Sequence, residues 1–243
     1  MGIEDEIRRY WDADAATYDD SAQHRPTDPQ VQAAWAATLA RLLPPAPAAV
    51  LDCGAGTGFL SLIAARLGHR VTALDCSEKM LERLRRAASA EGFAVTVVVG
   101  PADDPPTGFD AVMERHLLWT LPDPASALAA WRAAAPSGRL VVVESLWGAA
   151  GPAERARSGG QRALARLRRA APHHHADYPA ELRAALPLGR GTPPTDLCRL
   201  AEGAGWGDPG VERLRAVERA ERRALPLPER AVGVTPRFVV TAR

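Results

Sequence analysis

Short apolar runs alternate with stretches of helical period along most of this chain. Residues 4–20 set Ile7, Tyr10, Trp11 and Tyr18 on an amphipathic helical pattern. A polar turn with Pro26 and Pro29 follows, and Asp28 stands where a second helix needs its N-cap. That helix carries Val31, Trp35, Leu39 and Leu42 at helical spacing until Pro44, Pro45 and Pro47 stop it. Beyond it the pattern predicts buried strands over 48–52, 71–75, 95–99, 109–113 and 140–143. Between them it predicts helices over 59–67, ended by Gly68, from an N-cap at Ser77 through Ala90, and over 124–135, ended by Pro136 and Gly138.

Apolar strands alternating with helices imply parallel βαβ units with both sheet faces covered. After Trp147 the pattern changes. Residues 150–190 are rich in Ala, Arg, Pro and His, with one helix predicted over 153–171, broken by Pro172, and a short one over 182–188. Regular alternation resumes with a helix over 194–204, a strand near 211–217 and a last strand over 238–242. The predicted fold class is α/β: a doubly wound, mostly parallel seven-stranded sheet in one domain spanning 1–243. Residues 1–43 are its N-terminal helices, 48–147 its first half and 194–243 its close. Segment 150–190 is read as an insertion after strand five, over the C-terminal sheet edge where open α/β sheets bind ligands.

Composition narrows the function classes. At 243 residues and 47% hydrophobic, the chain can bury a full core without disulfides or metal. The net charge of +1 gives no general attraction to nucleic acid or to a membrane surface. No apolar run approaches the roughly 20 residues that span a bilayer, and the charged stretch 1–10 does not read as a signal peptide. Cys53, Cys76 and Cys198 are odd in number and lack paired metal spacing, which predicts a reducing, cytoplasmic setting. His173, His174 and His175 are adjacent and cannot all face one ion on regular structure, so no metal is predicted. Arg162, Arg166 and Arg169 share one helix face, either clamping an acidic substrate or solvated.

The run Asp52-Cys53-Gly54-Ala55-Gly56-Thr57-Gly58-Phe59 joins the first predicted strand to a helix. Gly54, Gly56 and Gly58 occupy alternate positions, where the backbone turns tightly and approaches a ligand beside a helix N-terminus. The dinucleotide fingerprint spaces its third glycine one residue later. Asp52 also suits a cationic amino group better than a pyrophosphate.

This run resembles the first motif of class I S-adenosylmethionine-dependent methyltransferases, of the small-molecule, type-11-like branch. Asp75, closing the second strand, matches the acid that holds both ribose hydroxyls in that family. Ser77-Glu78-Lys79-Met80 resembles the segment that packs on adenine, through Met80 or Cys76. Val99-Gly100-Pro101-Ala102-Asp103 resembles the adenine loop but has Pro101 where many relatives have an acid, which leaves Ala102 N–H and the Asp103 carboxylate for the adenine edge. The resemblance covers 4–147 and 194–243. It implies S-adenosylmethionine as cofactor and the N-terminal helices, with Tyr18, as a lid, although core packing explains Tyr10, Trp11 and Tyr18 equally well.

The chemistry is expected after strand four, in Glu114-Arg115-His116-Leu117-Leu118-Trp119. His116 has the pKa of a general base near neutrality or else plays a structural or cofactor-side part. Arg115 is placed to pair with Glu114 or with the cofactor carboxylate. Trp119 reads as core or cofactor wall ahead of substrate platform. Glu144, ending strand five, is a second catalytic candidate, with an edge salt bridge as its alternative. The reading is methyl transfer to oxygen, then nitrogen, of a small acceptor such as a bacterial secondary metabolite or quinone precursor, by a monomer or homodimer. A non-catalytic S-adenosylmethionine-binding scaffold and a nicotinamide-dependent oxidoreductase are the competing readings. Nucleic-acid methylation fits poorly, since no base-flipping signature or basic domain is present.

Overall fold

Local capping chemistry fixes where the helices begin. In the computed structural model, which describes residues 2–21, 23–146, 159–160 and 178–243, helix α1 (Ile3–Asp14) leads into α2 (Pro29–Leu42). The Asp28 carboxylate starts α2 by accepting the Gln30 and Val31 N–H groups. Helix α3 (Phe59–Arg66) springs from the glycine turn. Helix α4 (Glu78–Ala90) is capped by the Ser77 hydroxyl, and α5 (Pro124–Ala134) by Asp123 through the Ser126 N–H.

Strands β1 (Ala49–Cys53), β2 (Arg70–Asp75), β3 (Val95–Val99), β4 (Ala111–Arg115), β5 (Arg139–Ser145), β6 (Gly210–Arg213) and β7 (Arg237–Ala242) form one sheet in the order β3-β2-β1-β4-β5-β7-β6. The first five run parallel, and β7 is antiparallel to both β5 and β6. The alternation of side chains splits the core in two. Val50, Val71, Met113 and Val141 face Trp35, Leu39, Ile63 and Val217 on one side. Leu51, Val112, Leu140 and Val142 face Leu128, Trp131, Leu197 and Trp206 on the other. Between β1 and β4 the chain order reverses, and this opens a crevice at the C-terminal strand ends.

The predicted doubly wound, mostly parallel seven-stranded sheet is present, with corrections at its boundaries. The single helix expected over 4–20 ends at Asp14, and Tyr18–Asp20 is a 3-10 turn. Asp19 there accepts the Thr57 hydroxyl at 2.6 Å and pairs with Arg25, which draws the chain off a helical course and onto the glycine turn. The strand expected over 109–113 lies two residues later, because the Gly108 and Phe109 N–H groups go to the Ala134 carbonyl. Glu114 and Arg115 thereby join the sheet ladder opposite Val142 and Val143. The strand expected over 211–217 stops at Arg213. Leu214, Val217 and Ala220 bury at a three-residue spacing, so the chain coils into a helix, Arg215–Ala224, followed by another, Leu227–Val232. The short helix expected over 182–188 is Ala180–Ala185 and sets Leu182 and Leu186 against Ile7 of α1. The helix expected over 153–171, with Arg162, Arg166 and Arg169, and the three histidines at 173–175 lie outside the described residues.

Candidate active site

The glycine turn carries three left-handed residues in alternation: Gly54 at φ +63°, Gly56 at +55° and Gly58 at +92°. At Gly58 the demand is double. A Cβ there would lie 2.5 Å from Leu84 Cγ, so both the backbone and the packing of α3 on α4 require its absence. Gly58→Ala is expected to destabilise the fold by about 3 kcal/mol, from left-handed strain plus overpacking, measured as a lowered urea midpoint. At Gly56 a Cβ would meet no atom within 4 Å. That stretch of backbone is open to a cavity instead.

This first cavity is lined by Gly54, Gly56, Asp75, Cys76, Met80, Ala102 and Asp103, together with Tyr18 and Arg115. The sequence-predicted cofactor residues therefore meet in one place, with two exceptions. Gly58 lies beneath the turn, against Leu84. Asp52 is buried and accepts the Ser61 hydroxyl at 2.6 Å without lining the cavity; burial pushes its carboxyl up to about 7. Asp75 organises the site by accepting the Gly56 N–H through Oδ2 and the Ser77 N–H through Oδ1, each at 2.8 Å. Burial raises its carboxyl, with these two N–H groups opposing the rise. Pro101 lines the cavity wall, and the Trp131 indole holds the next residue by donating to the Ala102 carbonyl at 2.7 Å. Burial pushes the Cys76 thiol up to about 12, so it is a neutral wall rather than a nucleophile.

The N-terminal segment closes over this cavity through hydroxyl–carboxylate bonds. Ser77 donates to Asp12 at 2.6 Å, as Thr57 does to Asp19. Trp11 and Tyr18 line the first cavity and also a second, of about 380 Å³, that adjoins it. Tyr10, Trp119 and Tyr178 line only the second. Trp119 packs against the core, one of its two expected places, and lines the second cavity and not the first, its ring 5.0 Å from that of Tyr178.

His116 sits where the two cavities meet. Its backbone is left-handed at φ 62°, a strained conformation for a residue with a side chain. The turn is pinned from below: the buried Glu114 carboxyl accepts the Leu117 N–H at 2.7 Å, and the His116 N–H reaches the Val143 carbonyl. Glu114 does not hydrogen-bond Arg115, contrary to one of the expected pairings; burial pushes its carboxyl up to about 8. His116 Nδ1 lies 3.1 Å from Glu144 Oε2, and its Nε2 lies 3.4 Å from both Ser145 Oγ and Arg237 Nη1. A guanidinium only donates, so Nε2 is the accepting nitrogen and the proton resides on Nδ1, donated to Glu144. Burial and the guanidiniums of Arg115 and Arg237 hold His116 well below the usual imidazole range, while burial and Glu114 raise Glu144. Both directions favour an uncharged imidazole.

Arg115 spans the junction. Its Nη2 donates to the Gln23 and His24 carbonyls, its guanidinium lies 4.3 Å over the Phe59 ring, and its Nη1 is buried without a hydrogen-bond partner. Burial lowers its pKa to about 10. Arg237, Ser145 and Thr235 also line the second cavity, and sequence reading did not single them out.

A methyltransferase-domain family model matches residues 51–142, the span from β1 to β5. A ubiquinone biosynthesis O-methyltransferase of Xanthomonas euvesicatoria pv. vesicatoria is 32% identical over 184 residues, 73% of this chain and 73% of that protein. The chain belongs to the class I S-adenosylmethionine-dependent methyltransferase family. The enzyme of the same description from Xanthomonas axonopodis pv. citri is 33% identical over 59% of this chain, and the match spans 62% of that protein's length. Among solved structures, a Haemonchus contortus phosphoethanolamine N-methyltransferase 2 in complex with S-adenosyl-L-methionine superposes with a TM-score of 0.62 at 18% identity, over 100% of this chain and 60% of that one. The DhpI–SAH complex does so at 0.59 and 22%, over 100% and 97%. These share the fold. Family membership decides against the nicotinamide reading, and S-adenosylmethionine is the cofactor of this methyltransferase family. The first cavity suits it chemically: Glu4, Asp75, Asp103 and Asp123 line it, an acidic set for a sulfonium cation. Among the described residues, no helix is long and apolar enough to cross a membrane, and no His, Cys, Asp and Glu cluster could hold a metal.

Proposed function

We propose that this methyltransferase transfers a methyl group from S-adenosylmethionine to a hydroxyl oxygen of a small acceptor held in the second cavity. The observation that carries the reading is His116 Nε2, a hydrogen-bond acceptor standing between the two cavities with its ring oriented by Glu144. The names of the curated relatives, O-methyltransferases, support oxygen as the acceptor atom. S-adenosylmethionine, when bound, supplies an electrophilic methyl carbon on sulfur.

The chain supplies the rest. Asp75 takes the ribose hydroxyls, Met80 and Cys76 flank the adenine, and Ala102 and Asp103 meet its edge. Gly54 and Gly56 let the backbone close on the cofactor, and Tyr18 and Arg115 cover its methionine end. Gly58 and Asp52 act from behind by shaping the turn. The acceptor hydroxyl takes the place of the long 3.4 Å Arg237 contact on His116 Nε2, and Nε2 accepts its proton as the oxygen attacks the methyl carbon that the cofactor would supply, with the sulfur as leaving group. Glu144 is a positioning residue that fixes the tautomer. The imidazole afterwards passes its proton to water.

The test is S-adenosylhomocysteine release with a panel of hydroxylated acceptors, with products weighed by mass spectrometry. Release that depends on the acceptor, giving a product heavier by one methyl group, is expected. Its acid limb should lie below pH 6.5, because the folded environment depresses His116 and activity is lost only as pH falls through that lowered value. Cofactor binding without transfer to any acceptor would favour the scaffold reading.

A further inference from the structure

Where the two cavities meet, a hydrogen-bond acceptor and a donor stand side by side. Strands β5 and β7 run antiparallel with Ser145 directly opposite Arg237, and both side chains line the second cavity. Arg237 is not a free charge there. Its Nε is ion-paired with Glu221 at 2.8 Å, and its backbone N–H donates to the Glu218 carboxylate at 2.8 Å. What it contributes is a fixed donor: Nη1 reaches Ser145 Oγ at 3.1 Å.

A serine hydroxyl carries one proton, and a guanidinium can only donate. With its oxygen accepting from Arg237, the buried Ser145 hydroxyl has to send its own proton elsewhere. Among the described residues, the acceptor in reach is His116 Nε2, 3.4 Å from Oγ. That separation is long for an O–H···N bond, so the bond is weak and readily exchanged for a ligand. A ligand atom arriving at the junction therefore meets one acceptor, Nε2, and one donor, the Ser145 hydroxyl.

A hydroxyl group satisfies both. It donates to Nε2, accepts the Ser145 proton on one lone pair and keeps a second lone pair for the methyl carbon. An amine does not. An alkyl amine at neutral pH is an ammonium ion with no lone pair to offer. An aryl amine is uncharged, but its single lone pair is spread into the ring and accepts poorly, and once given to Ser145 it is not free to attack. Either one leaves a buried donor unmet, at the full cost of its desolvation.

We propose that Ser145, braced by Arg237, selects oxygen over nitrogen at the junction of the two cavities. The proposal rests on the methyl-transfer reading and gives its choice of atom a cause in this chain's own residues. In the transfer the O–H bond breaks with its proton going to Nε2, and the oxygen's second lone pair forms the bond to carbon, with sulfur as leaving group.

Catechol, 2-aminophenol and 1,2-diaminobenzene share one ring and are uncharged at neutral pH. Tyr10, Trp119 and Tyr178 give the second cavity aromatic walls for such a ring. Affinities for the full chain saturated with S-adenosylhomocysteine are measured by calorimetry. Catechol is expected to bind at least about tenfold tighter than the diamine. In Ser145→Ala that ratio should fall below about threefold while S-adenosylhomocysteine affinity holds, which shows the variant is folded. Turnover of 2-aminophenol with S-adenosylmethionine gives a second readout, its O- and N-methyl products separated by chromatography. The intact protein should methylate oxygen, and in Ser145→Ala the ratio of nitrogen to oxygen product should rise at least about fivefold. A serine that only packs would lower both products together. Equal affinity for catechol and the diamine, no measurable binding of catechol, or ratios unchanged in the variant would overturn the proposal. The expected affinity ratios with no methylated product from any probe would support the selection and remove the methyl-transfer reading. Oxygen and nitrogen methylated alike by the intact protein would overturn the proposal and leave that reading standing.

Discussion

His116→Asn is expected to lower kcat by about 10²- to 10⁴-fold, the usual range for a general base, while S-adenosylhomocysteine affinity stays within about threefold. Asparagine is the informative replacement. Position 116 holds φ 62°, and Asn is among the residues that accept the left-handed region most readily, so the turn survives the change. The variant loses the basic nitrogen at the cavity junction but keeps the backbone bond to Val143. Steady-state kinetics beside calorimetric titration separate the roles. A fall in kcat alone assigns His116 to proton transfer. Equal losses in kcat and cofactor affinity would make it a cofactor contact. Glu144→Gln gives the companion measurement. Its amide oxygen still accepts from Nδ1 at the 3.1 Å contact, so the tautomer persists and the loss is expected to be smaller than for His116→Asn.

The first cavity was legible because it is local. Strand, glycine turn and helix follow one another within residues 49–66, and Asp75 closes the next strand, so spacing alone brings Gly54, Gly56 and Asp75 together. The second cavity was not. It draws Tyr10 from α1, His24 from the following turn, Trp119 from after β4, Tyr178 from just before the helix Ala180–Ala185 and Arg237 from β7. No short-range period marks residues that meet only through the sheet order, and Arg237 reaches His116 because β7 inserts antiparallel beside β5. The boundary error at β4 has a particular source. Glu114 and Arg115 read as loop because they are charged, yet they lie in a buried ladder, where Glu114 pins the very turn that presents His116. Polar residues at a strand end break the apolar pattern at a place where function needs them. Asp52 shows the reverse case. Its position matched the family motif, but its carboxylate is committed to Ser61.

Asp75→Asn is expected to weaken S-adenosylmethionine binding by about 100-fold, near 3 kcal/mol. The carboxylate has two tasks. It accepts the Gly56 and Ser77 N–H groups, which shapes the turn, and it lines the first cavity, where the proposed reading gives it the ribose hydroxyls. An amide keeps one oxygen and sets its NH₂ group against an N–H that has lost its acceptor, so one backbone bond and part of the ribose contact go together. Removing the charge also relieves a desolvation penalty, since burial is the largest influence on this group. Folding stability should therefore suffer less than affinity. Calorimetric titration beside a urea unfolding curve tells the tasks apart. A 100-fold affinity loss with a small shift in midpoint assigns Asp75 to the ribose. Parallel collapse of both would make it a fastener of the glycine turn, and the cofactor would then owe its hold to other lining residues, Met80, Ala102 and Asp103 among them.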